Sequence, residues 1–438
     1  MSNNSYYYNY NYIQSVFFLL FPLIILVSSK NPVCPFDYAF HFGDGVTDLG
    51  NSVLLLPQPI TIPADLPPYG MTYPGSPSGR WSDGLVDFDF SAPFMGFPHP
   101  SPYLSLSPNH TSDGEAMMFS DAGSTVLDRD FFRSKGIKIP AYAVSFGDEF
   151  RWFKASLLLN ARRMKVYLYF SICYECTDRA TKKDWMLHIA IEGSGCVGGW
   201  GSVIALYTLG CIKGIVRNSL VMLGDIEAND LGYALSQGKS IEEAATYIPS
   251  ILKTEIEMAK EIISMGAIRM VLIGSSPIGC FPYMLTSRAT DDPNAYDNLG
   301  CLKDVNELIK LKNSILLENV ENLKKEFPEV DLNYSPFGDG VLQLLQETSQ
   351  GPYSDNLLKT CCGIGGKYNY DEKRFCGGKG VPVCSTPKEY VFWDGLHVTN
   401  HAAARIVEIL LGEGAPTFNC TVPWDSSSSS ASVAVAAI

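Results

Sequence analysis

Near the C-terminus an aspartate precedes a histidine by three residues, in Trp393-Asp394-Gly395-Leu396-His397. At that spacing the Asp394 carboxylate can hold the imidazole by its Nδ1 proton and leave Nε2 free as a general base. Most Asp-x-x-His pairs are structural or metal-binding, so this one gains meaning only from its company. Gly224-Asp225-Ile226-Glu227-Ala228-Asn229 supplies an amide donor, Asn229, just after an apolar run. Phe119-Ser120-Asp121-Ala122-Gly123 supplies a loop N–H at Gly123. An amide and a backbone N–H are what an oxyanion hole needs, so the chemistry suggested is acyl transfer.

These residues must be held by strands that end in tight turns. Asp37 to Phe42 is a short apolar strand running into Gly43-Asp44-Gly45; Ser219 to Leu223 and Arg269 to Ile273 run likewise into Gly224 and Gly274. Buried runs that stop at glycine predict a parallel sheet with functional loops at the C-terminal strand ends. Ser240 with Glu243 makes a capping box for a helix with the stripe Ile248, Ile251, Leu252, Ile256, Ala259 and Ile263, stopped by Gly266 and with a kink expected at Pro249. Leu302 to Phe327 and His401 to Leu411 are two further amphipathic helices. Alternating strands and helices predict an α/β sandwich. Arg162 to Cys211 fits poorly: Lys165 to Tyr174 looks strand-like, and Ile189 to Ile212 is apolar but too glycine-rich for a membrane helix.

The chain has 438 residues, 46% of them hydrophobic, which is enough for a large core. A net charge of −13 disfavours contact with polyphosphate, so a nucleic-acid partner is not expected. The apolar run Val16 to Val27 falls short of the roughly 20 residues a membrane-crossing helix needs. Small residues follow it, so residues 1–29 read as a secretory signal peptide, although no Lys or Arg precedes the run. No integral membrane segment is then expected after cleavage. Twelve cysteines suit an oxidising route, their pairing left open by spacing alone. Asn109, Asn333 and Asn419 head Asn-x-Ser/Thr triplets and become glycosylation candidates once the chain is secreted, to the extracellular space or cell wall. Residues 425–438 form a serine-rich tail expected to be disordered.

In order and spacing these blocks resemble the plant GDSL esterase/lipase family, a branch of the SGNH hydrolases, from about Phe36 to Leu411. Further pieces agree: Pro67-Pro68-Tyr69-Gly70, Gly79-Arg80-Trp81-Ser82-Asp83-Gly84, Pro277-Ile278-Gly279-Cys280-Phe281-Pro282, Lys359-Thr360-Cys361-Cys362-Gly363 and Tyr390-Val391-Phe392-Trp393-Asp394-Gly395. The resemblance implies a three-layer α/β/α sandwich of flavodoxin-like topology over residues 36–415. It implies Gly123 and Asn229 as oxyanion donors, Asp394 and His397 as the acid–base pair, and a Cys280–Cys301 disulfide. It also implies a small-molecule or lipid ester as substrate, no cofactor, and a monomer.

Two departures matter. The family places its serine nucleophile directly after Gly43-Asp44, and here that position is Gly45. Glycine has no side chain, so no acyl-enzyme can form there. Thr47 carries a hydroxyl two residues on but is expected to point elsewhere on the turn, and a water activated by His397 would be a slow substitute. The second departure is the excess of chain at residues 162–211, an anomalous insert with a retained intron as its candidate source. Leu85 also replaces a basic residue usual in the family.

Other signals have bland explanations. Cys173-Tyr174-Glu175-Cys176 lacks the second Cys/His pair of a zinc site. His41 and His401 are expected to pack or face solvent. Asp44 is expected to shape its turn; Asp48, Asn51 and Asp230 are expected to bond backbone amides; and Arg80, Trp81 and Asp83 are expected to interlock loops above the sheet. The resulting expectation is a secreted ester-hydrolase relative with impaired activity, or a non-catalytic protein that keeps the cleft for binding.

Overall fold

The computed structural model describes residues 34–57, 59–97, 100–106, 116–175, 200–225 and 227–412. Residues 1–29, Asn109, Asn419, Cys176, the middle of the anomalous insert and the tail at 425–438 lie outside the described residues. Six parallel strands make one sheet: β1 (Tyr38–Phe42), β2 (Ser101–Pro102), β3 (Ala116–Met118), β4 (Ser219–Gly224), β5 (Arg269–Ile273) and β6 (Asp331–Ser335). They lie side by side as β2-β3-β1-β4-β5-β6. Without the two-residue edge strand β2, this is the flavodoxin order 2-1-3-4-5, and helices cover the sheet as an α/β/α sandwich.

Alternation along β1 explains the layers. Phe40 and Phe42 point to one face, where they meet Phe119, Phe146 and Phe153 in a run of ring contacts 5.0–6.2 Å apart. Ala39 points to the other, with Met118, Leu220, Met222 and Val271, and His41 meets Phe88 there edge to face. Each fully buried phenylalanine contributes about 1.5–3 kcal/mol, so this aromatic cluster anchors the strand that delivers the Gly43-Asp44-Gly45 turn.

Two sequence expectations need correction. The single helix expected from Ser240 to Gly266 is two helices, Ile241–Ala245 and Ile248–Ser264. Ser240 caps the first by accepting from the Glu243 N–H, while Pro249 starts the second instead of kinking one long helix; a first turn tolerates proline because its N–H would have no helical partner anyway. Lys165 to Tyr174 is not a strand but part of the helix Phe146–Glu175. No Gly or Pro interrupts residues 148–175, and extending a nucleated helix is easier than ending it. Arg80, Trp81 and Asp83 each tie their loop to another segment: Arg80 makes a two-bonded pair with Asp89 at 2.6 Å, Trp81 Nε1 donates to Ser52 Oγ at 3.1 Å, and Asp83 accepts from Thr72 Oγ1 and the Asn400 N–H.

The helices Lys303–Glu326 and Asn400–Gly412 match expectation within a residue. The Cys280–Cys301 disulfide forms, joined by Cys361–Cys384 and Cys362–Cys376. No helix among the described residues is long and apolar enough to cross a membrane. β6 escaped the sequence reading because Asp331-Leu332-Asn333-Tyr334-Ser335 sits at the sheet edge and needs no apolar run.

Asp48 ties the loops together. It is fully buried, and its carboxylate accepts from the N–H groups of Gly50, Asn51, Ser52 and Ala122 at 2.7–3.2 Å. Asp48→Asn would turn one acceptor oxygen into a donor facing other donors. Urea unfolding should show a loss of about 2–4 kcal/mol, since each orphaned buried donor costs roughly 1–3 kcal/mol.

Candidate active site

The C-terminal ends of β1 and β4 are neighbours, and there the chain order along the sheet reverses. That is where an open α/β sheet splays its loops apart and makes a crevice. β1 delivers Gly45 into it and β4 is followed by Asn229; Gly123 comes from the loop after β3. The fourth contribution arrives from far along the sequence. Cys361 and Cys362 donate backbone N–H groups to Phe392 O and Trp393 O at 2.9 and 2.7 Å, fixing the segment that carries Asp394 and His397.

Asp394 and His397 form an oriented pair. Nδ1 of His397 lies 2.9 Å from Oδ2 and 3.1 Å from Oδ1. Oδ1 also accepts the N–H groups of Leu396 and His397 at 2.7 Å, and Oδ2 accepts the Tyr69 hydroxyl at 2.7 Å. The Trp81 ring lies over the imidazole at 5.0 Å and 32°. Burial works against the imidazolium, but the Asp394 charge outweighs it, aided by Asp44 and Asp48, and lifts His397 above its ordinary 6.5. Burial likewise opposes the Asp394 carboxylate, yet His397 and the hydrogen bonds hold its pKa below the usual range.

The Gly45 turn is clamped beneath the imidazole. The Gly43 N–H donates to Oε2 of buried Glu149 at 3.2 Å, and Gly43 O accepts from Ser124 Oγ at 2.8 Å. Asp44 shapes the turn by accepting the Val46 N–H at 3.0 Å. Thr47 points away: its hydroxyl donates to Ser120 Oγ at 3.0 Å, and Ser120 also meets His41 Nδ1. Burial alone lowers His41 to about 3, so it is a neutral core histidine. His401 sits on the surface.

The vacancy at Gly45 is filled. A Cβ built there would stand 2.8 Å from His397 Cδ2, closer still to Nε2, and 3.5 Å from the Ala122 Cβ. The imidazole has settled into the space that a side chain at 45 would take.

The two expected oxyanion donors differ in readiness. Gly123 has φ +85, a conformation suited to glycine, and its carbonyl accepts from Tyr233 Oη at 3.1 Å. Its N–H has no hydrogen-bond partner among the described residues, nor has the Gly45 N–H. Asn229, by contrast, spends both amide hydrogens, on Asp44 Oδ2 at 2.9 Å and Ser124 O at 3.0 Å. An amide carries two donor hydrogens, so Asn229 must release one before it can serve a ligand. Asn51 donates to the carbonyls of Met118 and Ser120, and Asp230 accepts the N–H groups of Val126 and Leu127. Asn333 lies on β6 and donates to Asp331. Among the described residues no three His, Cys, Asp or Glu side chains are grouped to hold a metal ion.

The sequence reading missed the roles of Tyr69, Glu149 and the Trp81 ring. Tyr69 is 325 positions from Asp394, and no spacing rule joins residues that only the fold brings together.

The family model for GDSL-like lipase/acylhydrolase matches residues 40–410. Acetylajmalan esterase 2 of Rauvolfia serpentina is 32% identical over 408 residues, covering 92% of this chain and 98% of that protein. A GDSL esterase/lipase of Arabidopsis thaliana is 32% identical over 407 residues, covering 92% and 91%.

Because the His397 pKa is raised, its protonated form should persist to higher pH than a free imidazole. The stabilisation from the ion pair is complete below the unfolded value of 6.5 and fades as pH climbs through the folded one. NMR titration of the His397 ring should give a midpoint above 6.5, moving downward in Asp394→Asn.

Proposed function

From the chain's membership of the GDSL-like lipase/acylhydrolase family, we propose that its cleft receives carboxylic esters and that hydrolysis by the family's serine route is lost. The observation that carries this reading is Gly45: the residue after Gly43-Asp44 has no side chain, and the His397 ring lies where one would be. In an intact relative His397 would deprotonate the serine, Asp394 would stabilise the imidazolium, and the Gly123 N–H with Asn229 would hold the oxyanion. Here Asp394 and His397 remain oriented for proton transfer with no hydroxyl to act on. Loss of the nucleophile alone costs on the order of 10⁶ in kcat in serine hydrolases. The ester is a lipid or an acylated metabolite, the class to which the name of the Rauvolfia relative also points.

A second reading follows from the aromatic cluster beside His397. Tyr69 and Trp81 meet edge to face at 5.9 Å, and Trp81 lies along Tyr142 at 6.4 Å. Rings packed behind a catalytic-type pair could back a site that binds a ligand without turnover, a pseudoenzyme role. With either role goes a secreted monomer: residues 1–29 as signal, Asn109, Asn333 and Asn419 as glycosylation sites, and residues 162–211 as an insert.

Gly45→Ser supplies the test. The backbone at 45 is outside the left-handed region and the obstacle is the ring of His397, so a serine needs only a retreat of that ring. Assayed on short-chain alkyl esters, Gly45→Ser should exceed the native chain by about 10³-fold or more. Rapid turnover of alkyl esters by the native chain would defeat the reading; equal ligand binding by both forms without turnover would favour the pseudoenzyme.

A further inference from the structure

We propose that His397 Nε2 is itself a nucleophile toward activated esters, so that the native chain forms an acyl-imidazole on His397 in place of an acyl-serine. The inference rests on the reading that Gly45 abolishes the serine route. A serine Oγ would sit one bond beyond the Cβ position, and Nε2 already stands against that position. With Nδ1 turned to Asp394, the Nε2 lone pair faces away from the carboxylate, and Nε2 has no hydrogen-bond partner among the described residues.

A general-base route needs a water between Nε2 and the acyl carbon. The ring lies where the missing side chain would begin, and the Ala122 methyl stands 3.5 Å from the same point, so the position a serine would take is not open to that water. Direct attack by Nε2 needs no such space, and histidine is an established covalent catalyst. The Gly45 N–H, on the residue against which the ring lies, and the Gly123 N–H of the loop after β3 have no hydrogen-bond partner among the described residues, so both are free to meet a developing oxyanion. Asn229 is not needed, which matches its committed hydrogens.

The steps balance. The Nε2 lone pair forms a bond to the acyl carbon, and the carbonyl π pair moves to oxygen. That pair returns as the bond to the leaving oxygen breaks and a phenolate departs with its electrons. The Nε2-acylated ring is an acylimidazolium that keeps its proton on Nδ1, hydrogen-bonded to the Asp394 carboxylate, whose negative charge compensates it. Water then adds to the acyl carbon, the imidazole leaves as neutral base, and the acid and the phenol share the released proton. An electron-poor phenolate such as p-nitrophenolate leaves about as readily as the imidazole, whereas an ordinary phenolate or an alkoxide leaves far less readily. An alkyl ester therefore reverts to starting material, and the activity is confined to activated aryl esters.

The full-length protein is incubated with p-nitrophenyl acetate and, separately, ethyl acetate. The native chain should release p-nitrophenolate at a rate nearly unchanged in D₂O. Hydroxylamine should intercept the acetyl group, and peptide mapping should place it on His397; ethyl acetate should be untouched. Gly45→Ala keeps His397 but puts a methyl where Nε2 rests, so it and His397→Gln should each lower the aryl rate at least about 10-fold. Failure to find acetyl-His397 on the native chain, or a clear slowing in D₂O, would overturn the proposal without touching the serine-loss reading. Substantial ethyl acetate hydrolysis by the native chain would instead overturn that reading. Since trapping and the isotope effect use the native chain alone, neither depends on a variant that folds.

Discussion

Four donors converge on one carboxylate. Asp394 takes the imidazole Nδ1, the backbone N–H groups of Leu396 and His397, and the Tyr69 hydroxyl. The side chain has little freedom left, and its direction fixes that of the ring. A buried charge with one partner would be costly; with four it becomes a rigid anchor. The same bonds shape the turn that leads into the helix Asn400–Gly412, so local folding and imidazole orientation are one event. This is why the ring, once nothing opposes it at position 45, rests against bare backbone.

The remaining carboxyl groups act as scaffolding of the same kind. Asp48 gathers four N–H groups from the loops after β1 and β3, Asp230 gathers two more from the loop after β3, and Glu149 meets the Gly43 N–H from the helix beneath. Loops at a sheet's C-terminal edge carry backbone donors that no strand pairs, and buried ones must be matched. Buried acidic residues meet that need here, and burial raises the pKa values of Asp48 and Glu149 accordingly. Much of the acidity around the crevice therefore serves loop geometry, not substrate.

How far the sequence could be read follows from what each element depends on. β1, β4 and β5 were legible because they are central strands that need continuous apolar runs and end at glycine. β6 was not, being an edge strand, and the helix Phe146–Glu175 was missed at Lys165 to Tyr174 because a short apolar run fits either period. Asp394 and His397 were legible because the histidine follows the aspartate by only three positions. Asn229 was legible as a position, but not its engagement with Asp44 and Ser124, which depends on how two loops meet. Gly45 was plain as an absence, while the imidazole's occupation of its space belongs to packing and has no sequence sign.

The members of the constellation differ in what else they hold. Asp394 anchors a turn, Asn229 bridges Asp44 to Ser124, Gly123 turns with a positive φ, and His397 joins Trp81 to Asp394. Changing any of these would leave a buried donor or acceptor unmatched or strain the backbone, at about 1–3 kcal/mol each. A side chain at position 45 has no such duty: facing the crevice, it would bond only to the imidazole that it must push aside. On the proposed reading, glycine at this position removes the serine route while these other contacts stay in place. In a protein only marginally stable, position 45 is then the member whose side chain the fold does not require, and the presence of the other four follows from folding as much as from any catalysis.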